Sequence, residues 1–290
     1  YYNYGFRAYI LLREEVYRAT QGKIDFFQTP KFVRIARYGK KIQMNEGVCP
    51  AYSDCRMGLS PDKFILSYCD RALGITSAEE QPVLPKGNNL SLHLLELFTS
   101  QVAKVGMTDG IRQVLQEESD ALRAYYEQAG ILIARPAGGT SCRLAISAKG
   151  GTNAENHNHN DVGSYAVALG SETMVGDQGG PNSYPGDYFN GDAPQKYKIK
   201  GSFGHPVPVV DGRTQSSGGK AKGVVLQKEF TNEKDVFSID YTSAYSTPNL
   251  DKLIRTFVYD RQGEGNFTVG DEFTAKTPIR FETAITTRAD

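Results

Sequence analysis

The feature that most constrains this chain is a change of hydrophobic period near residue 130. Before it, apolar residues recur at helical spacing. "YGFRAYILLREEVYRATQG" carries Phe6, Tyr9, Ile10, Val16 and Tyr17 on one face and reaches Gly22, a residue suited to the left-handed position after a helix. "TPKFVRIARYG" offers Thr29 as N-cap and Pro30 in the first turn, and "SPDKFILSYCDRAL" repeats the device with Ser60 and Pro61. "SLHLLELFTSQVAKV" and "GIRQVLQEESDALRAYYEQAG", the latter closed by Gly130, complete a helical set. Segments 39–59 and 76–90 read as long loops, the kind that often carry function. After residue 130 the period is 2. "GILIARP", "CRLAISAKG", "SYAVALG", "ETMVGD" and "VPVVDG" are short and rich in β-branched residues, and "KGVVLQKEF", "DVFSIDYTSAY", "LIRTFVYDR", "NFTVGDEF" and "IRFETAITT" continue them. Many short strands without intervening helices make antiparallel sheets rather than βαβ units. The expectation is an α+β chain, with residues 1–130 helical and 131–290 an antiparallel β-sandwich.

Composition narrows the partners. The 33 basic and 33 acidic residues cancel, so no field draws the chain to nucleic acid or to a membrane surface. No apolar run reaches the ~18 residues of a membrane helix. The chain opens inside a helix pattern without Met and stops just after a strand pattern, which reads as an excised or mature piece. Cys49, Cys55, Cys69 and Cys142 match no zinc-ribbon spacing; a Cys49–Cys55 bridge and buried free thiols are both open.

Of four histidines, two lie in "AENHNHNDVGSYAVALG". If residues 155–165 are extended, His157, His159 and Asp161 share one face, with the imidazoles roughly 6–7 Å apart at Cα. Such a pair suits joint metal binding, or one metal ligand beside one substrate-facing base. His205 precedes another strand, and Asp177 follows one. Two imidazoles and a carboxylate form a good zinc set. Asp161 reads as a strand-end carboxylate fixing backbone or a ring, and His93 as a helix histidine without chemistry. "GDQGGPNSYPGDYFNGDAP" has no phosphate-loop pattern, and its Asp187 and Asp192 lack calcium-loop spacing. It reads as a mobile loop over the cleft.

These residues resemble a family. "NHNHNDVGSYAVAL…MVGDQG…GSFGHPVPVVDGRTQ" is similar to the heparinase II/III-like polysaccharide lyases, whose β-domain pattern is His-Asn-His-x-Asp-x-Gly-Ser-aromatic. There follow a strand ending in Asp-x-Gly and a Ser-x-x-His segment leading to Val-x-Asp-Gly. His157, Asn158, His159, Asp161, Gly163, Ser164 and Tyr165 fit it, then Asp177, Gly179, Ser202, His205, Asp211 and Gly212. "LIRTFVYDRQGEGNFTVGDEF" resembles a later Arg-containing strand pair, and "YYNYGFRAYIL" the family's Tyr-x-x-Tyr helix. Position 206 is Pro where the family usually has Asn.

The resemblance implies the C-terminal part of an incomplete (α/α) toroid followed by an antiparallel β-sandwich. It implies β-elimination at the uronic acid of an acidic polysaccharide, of glycosaminoglycan or alginate type. His157 maps to the catalytic histidine and Tyr1 to the helix tyrosine, base or acid. Tyr184, slightly preferred over Tyr188, maps to a further tyrosine. His159, Asp177 and His205 map to ligands of a site-organising zinc. The family's carboxylate-neutralising Asn lies upstream of Tyr1, so this piece alone is expected to be inactive. The resemblance also implies export to a bacterial periplasm or cell surface, and says nothing of oligomeric state. A non-catalytic acidic-glycan binder and a zinc hydrolase are the alternatives.

Overall fold

The structure, a computed structural model, describes residues 2–76, 83 and 102–287. Tyr1, His93 and most of "SLHLLELFTSQVAKV" lie outside the described residues. The chain divides into two compact units. One holds residues Tyr1–Lys41 and Ser60–Asp120, the other Ile42–Leu59 and Ala121–Asp290.

The first unit is helical. A π-helical turn, Tyr2–Phe6, leads into α1 (Arg7–Ala19), followed by α2 (Pro30–Lys41), α3 (Lys63–Ala72) and α4 (Asp109–Glu117). The caps follow from the sequence. Thr29 Oγ1 accepts from Phe32 N at 3.2 Å, and Thr108 Oγ1 from Ile111 N at 3.3 Å. At α3 the cap is Asp62, which accepts from Phe64 N at 2.9 Å, rather than Ser60, whose carbonyl receives the Asn3 amide. Phe6, Ile10, Phe27, Phe32, Phe64 and Tyr68 fill the core.

The helical reading of 110–130 holds only as far as Glu117. Arg123–Tyr126 is a strand, β1, paired with β2 (Ile131–Ala134). Gly130, expected to close a helix, instead belongs to that hairpin turn at φ +61°, and a Cβ there would lie 2.5 Å from Gly151 N.

The second unit continues with β3 (Leu144–Lys149), β4 (Gly151–Asn153), β5 (Tyr165–Leu169), β6 (Glu172–Val175), a short helix α5 (Ala193–Lys196) and β7 (Pro208–Val210). It closes with β8 (Gly218–Phe230), β9 (Lys234–Asp240), β10 (Leu250–Asp260), β11 (Asn266–Ala275) and β12 (Phe281–Thr283). All pairings are antiparallel. One sheet has the order β1-β2-β3-β5-β6, another β11-β10-β9-β8-β4, and β12 pairs with β7.

Strand alternation sorts the faces. Leu132, Ile146, Ala148 and Tyr165 of the first sheet meet Phe237, Ile239, Leu253 and Phe257 of the second in one core, a sandwich. The opposite face of the first sheet carries Ala124, Ile133, Ala145, Ala166 and Ala168, covered by Met44 and Val48. The small alanines let segment 42–59 lie against the sheet. Tyr52 of that segment is buried, its hydroxyl 2.8 Å from Ser147 Oγ on β3. All four cysteines are free. Among the described residues no helix is long and apolar enough to cross a membrane.

Candidate active site and metal centre

Residues 154–164 are not extended. They form a loop between β4 and β5, with His157 at φ +60°. A left-handed histidine costs roughly 1–2 kcal/mol and persists only where surrounding bonds over-determine it. Here they do. Asn160 N donates to Lys200 O at 2.9 Å, Asp161 N to Asn153 Oδ1 at 3.2 Å, and Gly163 N to Lys149 O at 2.8 Å. Gln215 accepts from Val162 N at 3.0 Å and donates to Val162 O at 2.7 Å. Buried Arg255 of β10 forks onto Asp271 at 2.8 and 2.6 Å and donates to Gly163 O at 2.9 Å and Pro206 O at 2.7 Å. One guanidinium thus ties the loop carrying His157 and His159 to the loop carrying His205.

The two histidines therefore converge through a turn rather than by strand alternation, and what they converge on is Asp54. His157 Nδ1 lies 2.6 Å from Asp54 Oδ2, and His159 Nε2 lies 3.1 Å from Asp54 Oδ1. The Tyr188 hydroxyl donates to Asp54 Oδ1 at 3.1 Å and sits 3.2 Å from His159 Nε2. Sequence reasoning missed Asp54; its only signal was the length of loop 39–59. The backbone brings it here at close quarters. Gly180 N donates to Cys55 O at 3.2 Å, and a Cβ on Gly179, at φ +67°, would lie 2.0 Å from Cys55 O. The glycines after Asp177 are what allow the Asp54 loop to approach.

Burial works to raise the Asp54 pKa, but the hydrogen bonds from His159, His157 and Tyr188 outweigh it and hold the carboxyl below its ordinary value. Burial and the Asp54 charge push the Tyr188 hydroxyl well above the usual phenol range, so it stays a proton donor. The His157 side chain is 34 % exposed, while His159 and Tyr188 are fully buried. Tyr184 is exposed, its ring 5.2 Å from that of Tyr188. Of the two tyrosines weighed from sequence, Tyr188 joins the Asp54 cluster and Tyr184 flanks it.

His159, Asp177 and His205 are fully buried, and their ligand atoms lie within 4.8 Å of one another. The His159 and His205 rings are 5.3 Å apart. His205 Nδ1 is 2.8 Å from Asp177 Oδ2 but out of line for a hydrogen bond. His159 Nδ1, both His205 nitrogens and Asp177 Oδ2 are buried without a hydrogen-bond partner. Orphaned buried atoms of this kind are costly unless something binds them. Burial opposes protonation of His205, and the Asp177 charge overrides it and raises the pKa. The cluster therefore favours a cation, and two nitrogens with one carboxylate oxygen suit zinc.

A zinc held by this cluster would be read as one metal per chain by elemental analysis and would be lost in Asp177→Ala. Zinc at about a hundred times its Kd should add about 3 kcal/mol to unfolding. A protein that takes up no zinc and whose thermal midpoint ignores added zinc would contradict this.

No protein-family model matches the sequence, and no curated protein matches it. Solved structures do. A mutant of heparan sulfate lyase HepC from Pedobacter heparinus is 13% identical, with a TM-score of 0.59 over 94% of this chain and 38% of that one. The same lyase without the mutation gives 14%, 0.54, 93% and 38%. A heparinase III structure gives 15%, 0.52, 93% and 39%. The fold of this chain is therefore a heparinase-like one, an α+β arrangement with antiparallel sheets that spans a little over a third of the length of these structures.

Proposed function

We propose that this chain belongs to a polysaccharide lyase that cleaves an acidic, uronate-containing polysaccharide by β-elimination. The observation that carries the reading is the pairing of partly exposed His157 with buried, ionised Asp54. With the proton on Nδ1 shared with Asp54, the lone pair of His157 stands on Nε2. That nitrogen takes the proton from C5 of the uronate, and the Asp54 carboxylate stabilises the imidazolium that forms. The C5 electron pair becomes the C4–C5 double bond as the C4–O bond breaks, and a phenol protonates the departing oxygen. Tyr184, exposed beside the cluster, is the phenol we assign to this step, with Tyr1, on the resemblance, as the alternative donor. The heparan sulfate lyases that share the fold support the substrate class.

Zinc, when bound by His159, Asp177 and His205, supplies a fixed positive charge that holds three loops together. The helical unit, on this reading, is part of an (α/α) toroid, and the protein is exported to a periplasm or cell surface. A zinc hydrolase needs a coordination position that substrate can reach. Full burial of all three ligands speaks against it.

The test is to incubate the full-length protein with heparan sulfate, chondroitin, hyaluronan and alginate and follow the ultraviolet absorbance of the unsaturated uronate. A rise on one of them names the sugar class. New reducing ends without that absorbance would mean hydrolysis, and affinity without cleavage would mean a glycan-binding homologue.

A further inference from the structure

Phe189 follows Tyr188 in the loop before α5 and is 54 % exposed. Its ring meets the His157 imidazole edge-on, centroids 5.1 Å apart and planes at 79°. Tyr184, 42 % exposed, lies 5.1 Å from it at 44°. One solvent-facing aromatic ring thus adjoins the partly exposed histidine of the cluster, and a second adjoins that ring.

The shelf is held from beneath. Buried Tyr188 supports Phe189 edge-on at 5.3 Å. Lys200 Nζ donates to Tyr188 O at 2.9 Å and sits 4.5 Å from the Tyr188 ring centroid and 5.1 Å from that of Phe189. Asp187 receives the Lys196 ammonium and the Tyr197 hydroxyl, and the turn is closed by Tyr188 N to Pro185 O at 3.0 Å and Asn190 N to Asp187 O at 3.1 Å. A loop tied at this many points spends its order on presenting Phe189 outward, since burying that ring would have stabilised the fold more.

We propose that Phe189 and Tyr184 form a stacking platform that seats a pyranose ring of the acidic polysaccharide against His157. The inference rests on the lyase reading for the identity of the sugar. A pyranose is amphipathic. Its axial C–H bonds make an apolar face that lies on the electron-rich face of an aromatic ring, while hydroxyl, carboxylate and sulfate groups project from its rim. The platform therefore selects ring stereochemistry, which decides whether an apolar face exists, and is indifferent to rim sulfation. Its continuity with the Asp54–His157 pair places the seated residue next to the base.

The experiment is calorimetric titration of the full-length His157→Ala protein, whose turnover is slowed by about 10³- to 10⁴-fold, with hexasaccharides of heparan sulfate, chondroitin and alginate. Adding Phe189→Ala or Phe189→Leu should weaken the tightest of these by about tenfold, and Phe189→Trp should keep affinity within about threefold of the parent. Leucine keeps the apolar bulk without the π face, so it separates stacking from mere hydrophobicity. This chain has no Trp, so within it the Phe189→Trp side chain is also a fluorescent reporter, expected to shift its emission on binding. Affinity unchanged in Phe189→Ala, while the wild type yields unsaturated product, overturns the platform and leaves the lyase. Affinity lost in Phe189→Ala, with no unsaturated product from the wild type, upholds the platform and overturns the lyase. No hexasaccharide bound, with no unsaturated product from the wild type, overturns both.

Discussion

Replacing Asp54 by Asn is expected to lower kcat about 10³- to 10⁴-fold, close to the loss from His157→Ala, with KM little changed. The side chain is nearly isosteric, so packing survives. What changes is the proton pattern at His157 Nδ1, 2.6 Å away. A carboxylate only accepts, which fixes the proton on Nδ1 and leaves Nε2 to take a proton from substrate. An amide can present N–H instead and stabilise the opposite tautomer, with Nε2 already protonated. It also removes the charge that stabilises the imidazolium. KM should hold because the Asp54 side chain is only 6 % exposed and cannot be a principal sugar contact. Steady-state kinetics of the full-length protein give the kcat and KM split, and nitrogen NMR of labelled histidine reads the tautomer directly. Retention of more than about a tenth of kcat, or an unaltered tautomer, would remove Asp54 from the mechanism. The depressed pKa sets the pH window. Folding favours the ionised form, so the stabilisation from Asp54 is complete above its unfolded value, about 3.9, and is lost as pH falls through the lower folded value. An acid limb in the rate nearer neutrality therefore belongs to another group.

That prediction could not have come from the sequence. The H-x-H pair, Asp177 and His205 are legible because a metal set consists of a few residue types, and all three ligands sit at loop positions bordering strands of one β unit. Asp54 reaches His157 across 103 residues, and "YSDC" carries no motif. Contacts of Cys55 and Arg56 with residues 179–182 bring it there, and sequence spacing does not encode such contacts. The strand reading of 155–165 failed where composition argued otherwise. "AENHNHND" is dense in Asn and Asp, which favour turns and tolerate left-handed backbone, and the His157 φ of +60° is what that tolerance allows. In "DALRAYYEQAG" helical spacing and a terminal Gly match a helix and a hairpin equally well. The antiparallel pairing of Arg123–Tyr126 with Ile131–Ala134 decides for the hairpin. The change of period itself is robust, because it averages over many residues while each boundary depends on a few.

Asp161→Ala is expected to destabilise the β unit by about 3–5 kcal/mol. Lys149 Nζ lies 2.5 Å from Asp161 Oδ1, with side chains 5% and 0% exposed, so neither charge has water to fall back on. Removing the carboxylate leaves an ammonium in the interior, with the Tyr52 ring centroid at 5.9 Å and no carboxylate bonded to it. At about 2–4 °C per kcal/mol for a domain of this size, the thermal midpoint should drop by roughly 6–20 °C. The double variant Lys149→Met/Asp161→Leu should recover most of the loss, since replacing a buried pair with apolar side chains of similar volume is often neutral. A cycle in which the two single changes simply add would show that the pair is not coupled in the fold. The cycle also separates support from chemistry. Asp161 precedes Val162 and Gly163, whose backbones Gln215 and Arg255 hold, so the pair anchors the same loop that presents His157 and His159. If its only role is that anchorage, the apolar double variant, assayed below its midpoint, keeps its zinc and its kcat. A double variant that is stable yet inactive would mean that the Asp161 charge itself, which helps raise the pKa of His205, is needed in the field of the metal cluster.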